Sequence, residues 1–129
     1  MYSIVIVEDN ELNLELETDL LEAYGYEVYG ISSAEEALKR LPEIAPDLIL
    51  MDFALPGIDG LDAVRALKRH PITARIPIVV VSAHAMAADK EAAEKAGCAG
   101  YMTKPINTRT FPVSIAQYIS DSVGQRRAA

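Results

Sequence analysis

Short apolar runs alternate with segments of helical periodicity along the whole chain. Ile4–Val7, Leu48–Met51 and Ile76–Val81 are apolar throughout, as is typical of strands that are buried on both faces. Two further strands are predicted at 27–31 and 99–102. Strands without a polar face predict a parallel sheet that is covered by helices on both sides.

The first two predicted helices have recognisable ends. One opens at Asn10 and stops at Gly25, a residue type that favours the left-handed backbone after a helix. The other opens with a capping box from Ser33 to Glu36 and is predicted to end at Pro42. The residues expected to face the core are Leu12, Leu16, Leu20 and Tyr24 in the first helix, and Ala34, Ala37, Leu38 and Leu41 in the second.

Three more helices follow the remaining strands. Asp59 is the predicted cap of the third helix. The fourth, at 87–96, is rich in alanine and closes at Gly97. Pro112 lies about one turn into the predicted fifth helix, so that helix either starts late or is kinked. The expected core residues are Leu61, Val64 and Leu67 in the third helix, and Phe111, Ile115, Tyr118 and Ile119 in the fifth.

Five strand–helix units define the predicted topology. Right-handed crossovers favour a doubly wound five-stranded parallel sheet with five helices, in the order 2-1-3-4-5. The chain has 129 residues, half of them hydrophobic, which fits one domain with a well-filled core. We predict that residues 1–123 form this domain and that 124–129 form a short C-terminal tail.

The composition narrows the range of functions. A formal net charge of −7 repels phosphate backbones, so we expect no nucleic-acid partner. No apolar run approaches the roughly 20 residues of a membrane span, and the first residues lack the basic stretch of a signal peptide. The single cysteine, Cys98, cannot form an internal disulfide, which favours a reducing cytoplasm.

Polar residues stand where the predicted strands end. Glu8 and Asp9 follow the first strand, Asp52 the third, Ser82 the fourth and Lys104 the fifth. Ligands of doubly wound sheets bind at the carboxyl ends of the strands, so these side chains should converge. Three carboxylates repel one another unless cations neutralise them. The lysine supplies one positive charge, and Mg²⁺, which prefers oxygen ligands, can supply the rest.

Such a site suits phosphoryl transfer, where catalysis is mainly positioning and charge neutralisation. Asp52 can act as the nucleophile and form an acyl phosphate. Asp9 would bind the metal, and Glu8 would do so directly or through water. Ser82 and Lys104 would each contact a phosphoryl oxygen. The chain has neither a Walker-type glycine loop nor kinase motifs, so we predict that it receives a phosphoryl group rather than binds ATP.

Five segments, in order along nearly the whole chain, form one set of motifs. They are VIVEDN at 5–10, DLILMD at 47–52, LPGIDG at 55–60, VSA at 81–83 and GYMTKP at 100–105. Together they resemble the receiver domain of two-component response regulators and are most similar to stand-alone CheY/DivK-like receivers. The resemblance implies a flavodoxin/CheY-like fold and a receiver domain over residues 1–123.

The resemblance also implies roles for individual residues. A histidine kinase or a histidine phosphotransfer protein would phosphorylate Asp52, and Asp9, Asp52 and the backbone carbonyl of Ala54 would hold Mg²⁺. Ser82 and Tyr101 would move as a switch. Their movement would change the face formed by the fourth helix, fifth strand and fifth helix, where a downstream protein would bind. Such a protein is not an enzyme beyond catalysing its own phosphorylation and dephosphorylation.

Three further positions have expected properties. The resemblance implies a cis bond between Lys104 and Pro105, and X-Pro is the one bond type for which cis is accessible. Ala54 and His84 depart from the common family pattern. Both stand at positions that tune the lifetime of the phosphate, so the lifetime stays open.

Two other functions compete with the leading one. A phosphorylation-independent adaptor would keep only the fold, and the polar residues at the strand ends count against it. A Mg²⁺-dependent phosphohydrolase with an aspartyl nucleophile would need a second aspartate two residues after Asp52. Ala54 stands there instead, so we expect no such activity.

Overall fold

A five-stranded parallel sheet with helices on both faces forms the fold. The computed structural model describes residues 1–52, 60–83 and 87–128, with side chains up to residue 124. Its elements are β1 Ser3–Val7, α1 Glu11–Ala23, β2 Glu27–Ile31, α2 Ala34–Ile44, β3 Leu48–Asp52, α3 Gly60–Arg69, β4 Ile78–Ser82, α4 Ala87–Lys95, β5 Gly100–Thr103 and α5 Phe111–Ala128.

The strand order is β2-β1-β3-β4-β5 and every neighbouring pair is parallel. The predicted doubly wound topology is therefore confirmed. Because the order reverses between β1 and β3, the connections from these two strands leave on opposite faces and open a crevice at their carboxyl ends.

Alternate residues of the central strands point to two separate cores. Val5, Val7, Ile49 and Met51 pack with the buried residues of α2 and α3. The residues that alternate with them, such as Ile6, pack on the other face with α1 and α5. Burial on both faces is the reason these strands read as continuous apolar runs in the sequence.

The orientation predicted for α1 is wrong. Leu12 is 77% exposed, and Leu16 and Tyr24 are also exposed. Leu21 and Glu17 are the buried residues of this helix instead. The segment carries leucines on more than one side, so periodicity alone did not identify the face that meets the sheet. The predicted cap is confirmed, since the Asn10 side chain accepts from the Asn13 N–H at 3.0 Å.

Pro42 does not end α2, contrary to the prediction. The helix continues to Ile44 and stops at Ala45, which has a left-handed backbone with φ 46°. Pro42 lies in the last turn, so its missing N–H removes a single helical hydrogen bond close to an end. The predicted start is confirmed, because the Ser33 hydroxyl accepts from the Glu36 N–H at 3.2 Å.

Pro112 is accommodated because α5 starts late, one of the two predicted alternatives. It is the second residue of the helix, where an N–H would have no partner within the helix. The backbone of α5 continues to Ala128. Asp59, the predicted cap of α3, lies outside the described residues. Over the described part of the chain, no helix combines the length and apolarity that a membrane crossing needs.

Candidate functional site

The carboxyl ends of β1, β3, β4 and β5 meet along one rim of the sheet. Glu8 and Asp9 directly follow β1, Asp52 is the last residue of β3, and Ser82 is the last residue of β4. The register pairs Asp52 with Val81, so β3 and β4 end within one residue of each other. The parallel sheet thus brings together side chains that are far apart in the sequence.

Three of these side chains could share one cation. Carboxylate oxygens of Glu8, Asp9 and Asp52 all lie within 4.8 Å of one another. Glu8 and Asp52 are almost fully buried, while Asp9 is open to solvent. A cluster of hard oxygen ligands that is open on one side fits Mg²⁺, which keeps part of its water shell. Ala54, the predicted backbone ligand, lies outside the described residues.

Lys104 forms an ion pair with two of these acids. Its Nζ donates to Glu8 Oε1 at 2.8 Å and to Asp52 Oδ2 at 3.1 Å. Burial, the largest single influence, opposes the charged form, but the hydrogen bonds to Glu8 and Asp52 and the negative charges of these acids together raise the pKa of Lys104. The ammonium group therefore stays positive beside the acids. The bond that follows it, Lys104–Pro105, is cis.

The acids carry more negative charge than one lysine can neutralise. Burial and a hydrogen bond with Asp52, opposed by Lys104, raise the pKa of Glu8 to about 7. Without a metal ion, a proton can thus take up part of the excess charge near neutral pH. A divalent cation at the same oxygens would compete with that proton.

Glu17 is a fourth acid near this group that the sequence reading missed. It is only 3% exposed, on the side of α1 that carries Leu21. Burial, as the largest cause, and repulsion from Glu8, as the next, raise the pKa of Glu17 to about 7. The spacing of Leu14, Glu17 and Leu21 was the available signal, because positions i, i+3 and i+7 share one side of a helix.

The two predicted switch residues, Ser82 and Tyr101, lie on neighbouring strands and differ in their burial. Ser82 is 1% exposed at the end of β4, and its carbonyl accepts from the Lys104 N–H at 2.8 Å. Tyr101 is half-buried in β5. His84, a predicted lifetime-tuning position, lies outside the described residues.

The arrangement can support nucleophilic attack by a carboxylate on phosphorus. Asp52 is the central acid, in contact with the lysine and close to both other carboxylates. Positive charge from Lys104 and from a cation would balance the phosphoryl oxygens. The rim therefore combines a buried carboxylate, a lysine ammonium beside it and further carboxylates that could bind a metal ion.

The chain is similar to known proteins over most of its length. The family model described as "Response regulator receiver domain" matches residues 4–116. The polar-differentiation response regulator DivK of Brucella ovis is 44% identical over 120 residues, which cover 93% of this chain and 98% of that protein.

Solved structures of receiver domains are also similar to this chain. The CheY-like receiver domain protein of Methanospirillum hungatei has a TM-score of 0.88 at 26% identity, over 97% of this chain and 98% of that one. The receiver domain of the sensor histidine kinase PA1611 of Pseudomonas aeruginosa has a TM-score of 0.84 at 29% identity, over 92% of this chain and 98% of that one. Its structure has a magnesium ion coordinated in the active site cleft.

Proposed function

This chain belongs to the response regulator receiver domain family, and we propose that it is a signalling switch driven by phosphorylation of Asp52. One observation carries the proposal. The Lys104 ammonium donates to Asp52 at 3.1 Å, and the Asp52 carboxylate shares its surroundings with Glu8 and Asp9. A carboxylate between a fixed cation and a set of metal ligands suits a phosphoacceptor.

In the proposed reaction, an Asp52 oxygen forms a bond to phosphorus while the bond between phosphorus and its donor breaks. From a phosphohistidine, the leaving group is an imidazole nitrogen, which keeps the bonding electron pair and takes a proton. The product on this chain is an acyl phosphate. The Lys104 ammonium would contact one phosphoryl oxygen, and the Ser82 hydroxyl would contact another.

Mg²⁺ is the cation we propose for the site. Asp9 and Asp52 would bind it, together with the Ala54 carbonyl and with Glu8 directly or through water. A bound Mg²⁺ would neutralise charge on the carboxylates and on the phosphoryl group. The fit rests on three hard-oxygen ligands within 4.8 Å of one another, and the metal in the related Pseudomonas receiver supports it.

The proposed partners are those that membership of the receiver family implies. A histidine kinase or a histidine phosphotransfer protein would donate the phosphoryl group, and a downstream protein would bind the face formed by α4, β5 and α5. Tyr101 lies on β5 within this face and would report the state of Ser82. Ala54 and His84 would set the lifetime of the phosphate. A cytoplasmic location, which suits the lone Cys98, is part of the same proposal.

The test is phosphorylation by acetyl phosphate, followed by intact-protein mass spectrometry. Wild-type protein with Mg²⁺ should gain one phosphoryl group, and chelation with EDTA should prevent the gain. Asp52→Asn should gain none, whereas Asp62→Asn, which removes an exposed acid on α3, should behave like wild type. Equal labelling of Asp52→Asn and wild type would refute the proposal.

Two further measurements separate the alternatives. Beryllofluoride with Mg²⁺ should shift amide resonances across α4, β5 and α5. Failure to bind millimolar Mg²⁺ would favour a phosphorylation-independent adaptor instead. Turnover of a generic phosphomonoester would favour a phosphohydrolase.

A further inference from the structure

Glu17 of α1 is an ionisable residue that is buried with part of its carboxyl group unbonded to any described residue, which no structural role in the helix explains. It is 3% exposed, and its Oε2 atom has no hydrogen-bond partner among the described residues. A pocket of about 300 Å³ lies beside it, between α1 and the turn after β5, with Asn13, Lys104 and Pro105 among its lining. A buried carboxyl oxygen without a partner is costly, and most of all when it is ionised.

Among the described residues, three charged groups act on Glu17 from the elements around it. Glu8 follows β1, Asp52 ends β3, and Lys104 follows β5. Asn13, on the helix itself, is neutral. The Lys104 ammonium already donates to Glu8 and Asp52, so its positive charge is shared among acids. The surroundings of Glu17 are therefore net negative while no metal is bound, which favours its protonated form.

We propose that Glu17 is a further residue of the Asp52 site, whose buried carboxyl group holds a proton in the metal-free protein and releases it when a divalent cation binds. The inference rests on the proposed metal site. Glu17 is a positioning residue in this scheme, because it acts on the cation only through charge. The proton leaves the carboxyl group for solvent, and the adjoining pocket provides the route.

The charges that change on cation binding explain why Glu17 should lose its proton. A divalent cation adds two positive charges beside Glu8, Asp9 and Asp52. If Glu8 also loses its proton, the site still gains one net positive charge. The ionised form of Glu17 is then favoured relative to the metal-free state. Cation binding should therefore release more protons than the direct ligands account for, and it should strengthen with pH.

Isothermal titration calorimetry with Mg²⁺ in HEPES and in Tris at pH 7 measures the released protons, because the two buffers differ in ionisation enthalpy. Glu17, with a pKa of about 7, is half protonated there. Wild type should therefore release up to about 0.5 proton more per cation than Glu17→Gln. Between pH 6 and pH 8, the Mg²⁺ affinity of wild type should rise up to about tenfold more than that of the variant.

Glu22→Gln is the matched control, because Glu22 lies on the same helix and is exposed. It should match wild type in both measurements. Equal proton release and equal pH slopes in wild type and Glu17→Gln would overturn the inference. If wild type itself bound no Mg²⁺, the proposed metal site would fail first, so the two failures are distinguishable.

A second measurement uses the unmodified protein. The side-chain carboxyl ¹³C resonance of Glu17, titrated with pH by NMR, should show a lower pKa in saturating Mg²⁺ than in EDTA. An unchanged pKa would contradict the inference even if Glu17→Gln did not fold.

Discussion

Replacing Glu17 by glutamine should flatten the dependence of stability on pH in the metal-free protein. The pKa of Glu17 is raised from 4.5 to about 7 on folding, so the folded protein binds an extra proton between these values. The stabilisation is fully present below pH 4.5 and is lost as the pH rises through 7. Glutamine has nearly the same shape and cannot titrate, so the variant lacks this contribution.

The change in the pKa of Glu17 on folding sets the amount of stability that is lost as the pH rises. A group with pKa values of about 7 folded and 4.5 unfolded loses about 2 kcal/mol of stability between pH 5.5 and pH 8. Glu8, raised to about 7 as well, contributes to the slope of both proteins and largely cancels in the comparison. Wild type should therefore lose about 2 kcal/mol more than Glu17→Gln over this range.

Urea unfolding in EDTA, followed by far-ultraviolet circular dichroism, measures the difference. The chain has no tryptophan, so intrinsic tryptophan fluorescence cannot serve. The range begins at pH 5.5 to stay above the isoelectric point of about 4.7, where solubility falls. Glu22→Gln should follow wild type. Equal losses in Glu17→Gln and wild type would refute the reasoning.

Two further predictions test the helix orientation and the lysine. Leu21→Ala should lower the free energy of unfolding by about 2–5 kcal/mol because Leu21 is fully buried. Leu12→Ala should change it by less than about 0.5 kcal/mol, and equal losses in urea unfolding would mean that α1 packs differently. Lys104→Met should slow phosphorylation by acetyl phosphate roughly 100-fold, because a positive charge at the phosphoryl group is removed. Lys95→Met, which breaks only an exposed ion pair, should not, and an unchanged rate in Lys104→Met would exclude a role for that ammonium in the transfer.

The strand pattern was readable because burial on both faces leaves a direct trace in the sequence. Ile4–Val7 and Leu48–Met51 are apolar at every position, and both lie in central strands. Capping residues were equally local. Asn10 and Ser33 accept from backbone N–H groups three residues ahead, an interaction contained within one turn of chain.

Helix faces and ends were harder to predict because they depend on the neighbouring elements. In α1, leucines on several sides made two orientations compatible with the sequence, and contact with the sheet selected the one that buries Leu21. In α2, Pro42 suggested an end that the structure places at Ala45. A single missing hydrogen bond in a last turn was too small a penalty to stop that helix.

The sequence by itself determined the parallel sheet and the rim on which Glu8, Asp9, Asp52 and Lys104 were expected to meet, and it favoured the strand order that the structure shows. These features depend on local patterns and on the handedness of crossovers, which is nearly always the same. Only the tertiary structure decided the two hydrogen bonds that the Lys104 ammonium donates to Glu8 and Asp52, and the burial of Glu17. Both depend on distances between segments far apart in the chain, and the charge of a carboxyl group depends on such neighbours rather than on its residue type.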